Sequence, residues 1–105
     1  MNTIIKPFTF DDFTKLDVKT IYEIFMKSKI SISDWATALK GYNEEVQAHI
    51  FASIEDTMAY KIYDEMYSSG LIDTSEMIEK QKYIENIVRK TYPILLPLRN
   101  EIIIS

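Results

Sequence analysis

Cysteine does not occur in this 105-residue chain, which excludes a disulfide framework, a thiolate metal site and a cysteine nucleophile. Histidine occurs once, at position 49, so most zinc chemistry is removed and any imidazole acid–base step would rest on one side chain. Only two glycines and three prolines are present. They form no glycine-rich phosphate loop, and no EF-hand loop or His-Glu-x-x-His pattern occurs. No apolar run approaches the roughly 20 residues a spanning helix needs, and Met1–Lys6 is too short for a signal peptide. No membrane insertion is therefore expected, and the cytoplasm is the expected compartment. Positive charge is also in deficit: 12 Lys and Arg stand against 16 Asp and Glu, a formal charge of −4. A non-specific nucleic-acid binder needs the opposite balance to neutralise phosphates, so no nucleic-acid partner is expected. Neither a cofactor nor catalysis is expected from this composition.

What is present is a helical pattern. At 47% hydrophobic residues the chain can hide about two-thirds of its unfolded surface in one domain. Pro7 precedes the first pattern, Gly41 and Gly70 end helical ones, and Pro93 and Pro97 follow the last. A short first helix is expected over Asp11–Leu16, with Thr9 available as its cap. The second follows a capping Asp17, with Val18, Ile21, Tyr22, Ile24 and Phe25 on its inner face. The third is expected from a capping Ser33 to Lys40, burying Trp35, Ala36, Ala38 and Leu39 before a left-handed Gly41. The fourth opens after Asn43 and buries Val46, Ile50 and Ile54, helped by Phe51. The fifth runs from Asp56 to about Ser69 over Met58, Ala59, Ile62 and Met66. The sixth runs from about Ser75 to Thr91, with Asp73 and Glu76 at capping-box spacing and a stripe of Met77, Gln81, Ile84 and Val88. The expectation is all-α: a small bundle of about six helices forming one domain over 1–105, with a lead-in at 1–10 and a non-helical tail at 92–105. In that tail Glu101–Ile104 would be a short extended segment, apolar enough to leave room for self-association.

Charge is unevenly spread. Between Glu55 and Glu79 seven acids (Glu55, Asp56, Asp64, Glu65, Asp73, Glu76, Glu79) face Lys61 alone; Lys80, Lys82, Arg89 and Lys90 follow. One reading is a solvated helix face followed by basic residues that suit a helix C-terminus. The other is an acidic ridge offered to a basic partner, since Thr57, Lys61, Asp64, Glu65 and Ser68 share one polar face of the fifth helix. Such a contact would be made quickly and held weakly, being screened within about 8 Å at physiological salt. The same acids suit catalysis poorly, because adjacent Asp64 and Glu65 diverge by about 100° on a helix and cannot flank one bond. Asp11 and Asp12 have the same geometry at a helix start. His49, beside Val46 and Ile50, reads as a partly buried structural residue. Seven tyrosines and five phenylalanines form a large aromatic stock, mostly at core spacing. Tyr42, Tyr60, Tyr67 and Tyr92 lie off the main stripes and would mark an interface if exposed together.

Several segments, in order and at near-constant spacing, resemble one family. They are Pro7-Phe8-Thr9-Phe10-Asp11-Asp12, Leu16-Asp17-x-Lys19-Thr20-Ile21, and Ala38-Leu39-Lys40-Gly41 with Glu44 and Glu45. Ile50-Phe51, Ala59, Asp64-Glu65, Gly70 and Ile84-x-x-Ile87-Val88-Arg89-Lys90 continue the series. Over about residues 7–91 the chain resembles the C-terminal, torque-generating subdomain of the flagellar motor switch family FliG. The resemblance implies an all-α, six-helix subdomain that follows an armadillo-type region and works at the cytoplasmic face of the flagellar basal body. It implies a MotA-like stator protein or other switch components as partners, met through charges on one helix. By position, the charged surface would comprise Lys40, Thr57, Lys61, Asp64, Glu65 and Asp73, and the hinge-like segment Pro7, Phe8, Thr9 and Phe10.

The sequence also departs from that pattern. Thr57 and Asp73 stand where the family has arginines, and Leu71 where it has proline; about two residues are inserted around Lys27–Ser31. The hinge-like segment sits near the start of the chain, with no upstream armadillo helices. An excised domain and a short paralogue, including one turned into a non-motor adaptor or regulator, both remain open at this point.

Overall fold

The computed structural model describes residues 8–68 and 70–91, and every regular element among them is helical. A six-residue 3-10 helix, Phe10–Lys15, comes first. Five α-helices follow: α1 Val18–Lys27, α2 Ile32–Leu39, α3 Glu44–Ser53, α4 Asp56–Ser68 and α5 Thr74–Thr91. Helices α1, α2 and α3 start where a side chain takes up free backbone N–H groups. Asp17 accepts from the Thr20 N–H at 2.8 Å, and Asn43 from those of Glu45 and Val46 at 2.8 and 3.4 Å. At Asp73 the backbone carbonyl accepts the first bond of α5, from Met77 at 3.1 Å. Helix α2 ends at a left-handed Gly41, and a left-handed Gly70 lies just past α4, both at φ 74°. A Cβ built on either glycine would meet nothing within 4 Å, so backbone conformation rather than crowding favours glycine there.

Two expectations need correction. The cap of α2 is Ser31, not Ser33: its hydroxyl accepts from the Asp34 N–H at 3.0 Å. Starting two residues earlier lets Ile32 pack against the core and leaves Ser33 exposed, while Asp34 lies in the positive first turn. In α1 the buried stripe is narrower than its apolar pattern. Ile21 and Ile24 are buried and Phe25 packs at the core edge, but Val18 and Tyr22 face solvent. The main neighbour of α1 is α3, and a single helical neighbour covers only a narrow arc.

Helix α2 is the hub. It packs against both α4 and α5, while the 3-10 helix rests on α3 and α5. Its short, apolar sequence buries Trp35, Ala36, Ala38 and Leu39 in one continuous core with Phe13, Ile50, Ile62 and Ile84. The last carbonyls of a helix lack intrahelical donors, and here other helices supply them. Gln81 of α5, itself buried, donates to the Ala38 carbonyl at 3.0 Å, and Gln47 of α3 donates to that of Leu39. An ion pair of 3.0 Å between Lys80 and Asp34 ties α5 to α2 again, and its hydrogen bond and charge raise the Lys80 pKa.

The lead-in is fastened to α5. Phe8 and Phe10 are buried, and the Arg89 guanidinium donates twice to the Phe8 carbonyl, at 2.9 and 2.6 Å. The Phe10 N–H donates to Glu85 at 2.8 Å. Thr9 donates its backbone N–H and its hydroxyl to Asp12, at 2.9 and 3.2 Å, at the start of the 3-10 helix. Pro7, Tyr92 and the expected tail at 92–105 lie outside the described residues.

Candidate functional site

Helix α4 has two unlike sides. Ile62 and Met66 are buried, with Met58 and Ala59 at the core edge, on the side that meets α2. On a polar side Thr57, Lys61 and Asp64 are exposed, and Glu65, at the border beside Met58, is exposed too. This follows from the 3.6-residue period: burying positions 58, 62 and 66 turns positions 57, 61, 64 and 68 to water. All seven carboxylates between Glu55 and Glu79 are exposed, and so is Lys61. No ion pair among the described residues engages Asp64 or Glu65, although Lys61 lies one turn away from Glu65. Their charges are solvated rather than neutralised within the fold, and so can be met by charge from outside.

The other residues of the expected surface have different settings. Lys40 caps the C-terminus of α2, and its ammonium donates to the carbonyl of Gly70, just beyond α4. The side chain thereby links the end of α2 to the loop after α4. With Gly41 it lines a cleft of about 440 Å³, shared with Tyr42, Gln47, Met66 and Tyr67. A second cleft, of about 250 Å³, is lined by the same two residues with Leu71, Ile72 and Met77. Asp73 is exposed, but it stands on the connection to α5 rather than on α4; its carboxylate at that helix N-terminus is favourable in its own right. The hinge-like Phe8 and Phe10 are core residues and Thr9 begins the 3-10 helix; none of the three lies on α4.

Tyr42 and His49 have structural partners. The Tyr42 ring meets Phe10 edge-on at 5.2 Å, and its hydroxyl donates to the Asp11 carboxylate. Burial pushes its phenol well above the ordinary range; the hydrogen bond and charge of Asp11, then the charges of Glu85 and Asp12, push it further. His49 Nε2 donates to the carbonyl of Leu16 at 2.6 Å. No group of three or more potential metal ligands occurs among the described residues, and no helix there is long and apolar enough to cross a membrane.

Three tyrosines stand in a row on α4. Tyr60, Tyr63 and Tyr67 are 70%, 50% and 70% exposed. Their spacing of three and four residues was readable in the sequence. Tyr63 could be missed because it directly follows the buried Ile62.

Comparison with known proteins gives two matches. The family model described as the FliG C-terminal domain matches residues 3–92. The flagellar motor switch protein FliG of Thermotoga maritima is 31% identical over 83 residues, covering 79% of this chain. The aligned region is 24% of that relative, so this chain spans about a quarter of its length. No solved structure matches.

Proposed function

The chain belongs to the FliG C-terminal domain family, and from that premise we propose that it is a rotor-type domain of a flagellar motor switch, binding a stator or another motor protein through the charged face of α4. The observation that carries this reading is the exposure of Asp64 and Glu65 on α4, with no ion pair to either among the described residues. Their positions match the acidic pair that the resemblance assigns to stator contact. Lys40, tied to the loop after α4, would add a cation at the end of that helix. Opposite charge on the partner would set the orientation and speed of encounter, as torque generation or direction switching requires of a contact remade at each step. The role is binding, not catalysis. It places the domain in the cytoplasm, at the cytoplasmic face of the basal body.

The test is Asp64→Lys with Glu65→Lys. Both side chains are exposed, so helicity and the unfolding midpoint should persist while motility, or binding to a stator loop, falls. Unchanged motility and binding in a folded double variant would refute the reading. A second reading, a non-motor adaptor on the same fold, is favoured by Thr57 and Asp73, which stand where the family pattern has arginines. Recovery of motor components with the tagged protein from its native cells would count against it.

A further inference from the structure

We propose that the tyrosine side of α4 is an arginine-reading surface: Tyr60, Tyr63 and Tyr67, bordered by Asp56 and Asp64, take up the guanidinium groups of a basic protein segment. This rests on the reading of α4 as the partner-contact helix, and it names the chemistry of the partner.

The three rings form a stripe. At 100° per residue, Tyr60, Tyr63 and Tyr67 fall within an arc of about 60°, turned away from the buried Ile62. Tyr63 and Tyr67 lie 4.6 Å apart between centroids, tilted by 46°, and Phe51 of α3 extends the row at 6.4 Å from Tyr63. Two exposed rings that support one another lose less freedom on binding than two independent ones.

Charge selects the occupant. Asp56 and Asp64 lie one turn before and one turn after Tyr60, both exposed, and Glu55 precedes the helix. The sole cation of α4, Lys61, is rotated about 100° from Tyr60, and Lys40, across the cleft it shares with Tyr67, is held by the Gly70 carbonyl. Among the described residues the cation over a ring is Lys80 on Tyr83 of α5; none stacks on the tyrosines of α4. Phosphate-bearing partners, whether nucleic acid or anionic lipid, would meet these carboxylates as like charge. So would the same face of a second copy. A basic segment satisfies both features, and arginine does so better than lysine. Its guanidinium is planar and weakly hydrated, stacks on a ring face, and still presents N–H groups at its edge to a carboxylate.

The experiment titrates the isotope-labelled protein with two synthetic helical peptides, identical except that one carries arginines every fourth residue and the other lysines. The arginine peptide should shift the amides of residues 60–67 and bind roughly five-fold more tightly. Replacing all three tyrosines with alanine should bring both peptides to equal affinity, while phenylalanine at the same positions should keep the preference. Equal affinities with the wild-type domain, shifts located elsewhere, or no binding would each overturn the proposal. Equal affinities that are both lost in Asp64→Asn/Glu65→Gln would sink the tyrosine role and leave the charged contact standing. Arginine preference on α4 with undiminished motility in the charge-reversed variant would do the opposite.

Discussion

Aromatic residues serve two opposite ends in this small domain. In one region Phe8, Phe10, Phe13, Phe25 and Trp35 link the lead-in, α1 and α2 through a chain of rings. Phe8 and Phe10 meet Phe13 edge-on at 5.0 and 5.1 Å, and Phe25 stacks on Trp35 at 4.0 Å. In the other region three tyrosines stand out of α4 into water, their nearest ring neighbour being the half-buried Phe51. The difference is chemical. Phenylalanine carries no polar atom and can be enclosed without compensation, whereas a phenol must find a partner or remain wet. Tyr42 shows the intermediate case, half-buried because Asp11 takes its hydroxyl. Ring type alone therefore does not separate core from surface; the fate of the hydroxyl does.

The sharpest way to break this contrast is to truncate the buried side. Trp35→Ala removes a fully buried ring stacked on Phe25 and should cost about 3–5 kcal/mol, read as a lowered urea midpoint with near-unchanged m value. A domain of this size has roughly 5–15 kcal/mol in total, so partial unfolding at 37 °C is expected. A loss below about 1 kcal/mol would mean that Trp35 packs no better than the exposed tyrosines. Second in size is Gln81→Leu, which keeps bulk but leaves the buried Ala38 carbonyl without its donor. About 1–3 kcal/mol should be lost, and amide exchange should accelerate near the end of α2.

Much of this was legible in the sequence, for identifiable reasons. The inner stripes of α3 and α5 follow from the period of Val46, Ile50 and Ile54 and of Gln81, Ile84 and Val88. Asp17, Asn43 and Gly41 mark helix ends through local chemistry that needs no tertiary context. Asp64 was placed on the outer face of α4 by the same period. Three features were not legible. The choice between Ser31 and Ser33 depended on burying Ile32. The exposure of Val18 and Tyr22 depended on how few helices cover α1. The links from Gln81 to Ala38, from Arg89 to Phe8 and from Lys40 to Gly70 join residues 30 or more positions apart, which no local pattern encodes.

The intermediate case gives a smaller, pH-dependent effect. The Tyr42 phenol is held above its unfolded value of about 10, so the folded state retains this proton where the unfolded state loses it. Its contribution is therefore complete below pH 10 and is lost as pH rises beyond it. In an alkaline absorbance titration one tyrosine should ionise last, and Tyr42→Phe should delete that step. Asp11→Asn should bring the step only part of the way back, because burial is the larger cause. A Tyr42→Phe variant with the same late step would assign it to another ring.

The smallest expected effect is the one that defines the exposed side. Tyr60→Ala and Tyr67→Ala, both at 70% exposure, should each change stability by no more than about 0.5 kcal/mol. Tyr63→Ala should cost somewhat more, because it breaks two ring contacts, with Phe51 and Tyr67, where Tyr67→Ala breaks one. Set beside Trp35→Ala, the series would separate rings that hold the fold from rings that are available to a partner. A loss above about 2 kcal/mol at Tyr60 would place that ring in the first class and remove it from the surface on which an arginine could stack. Near-neutral stability together with lost arginine preference would mean that these rings act through what they bind, since nothing in the fold depends on them.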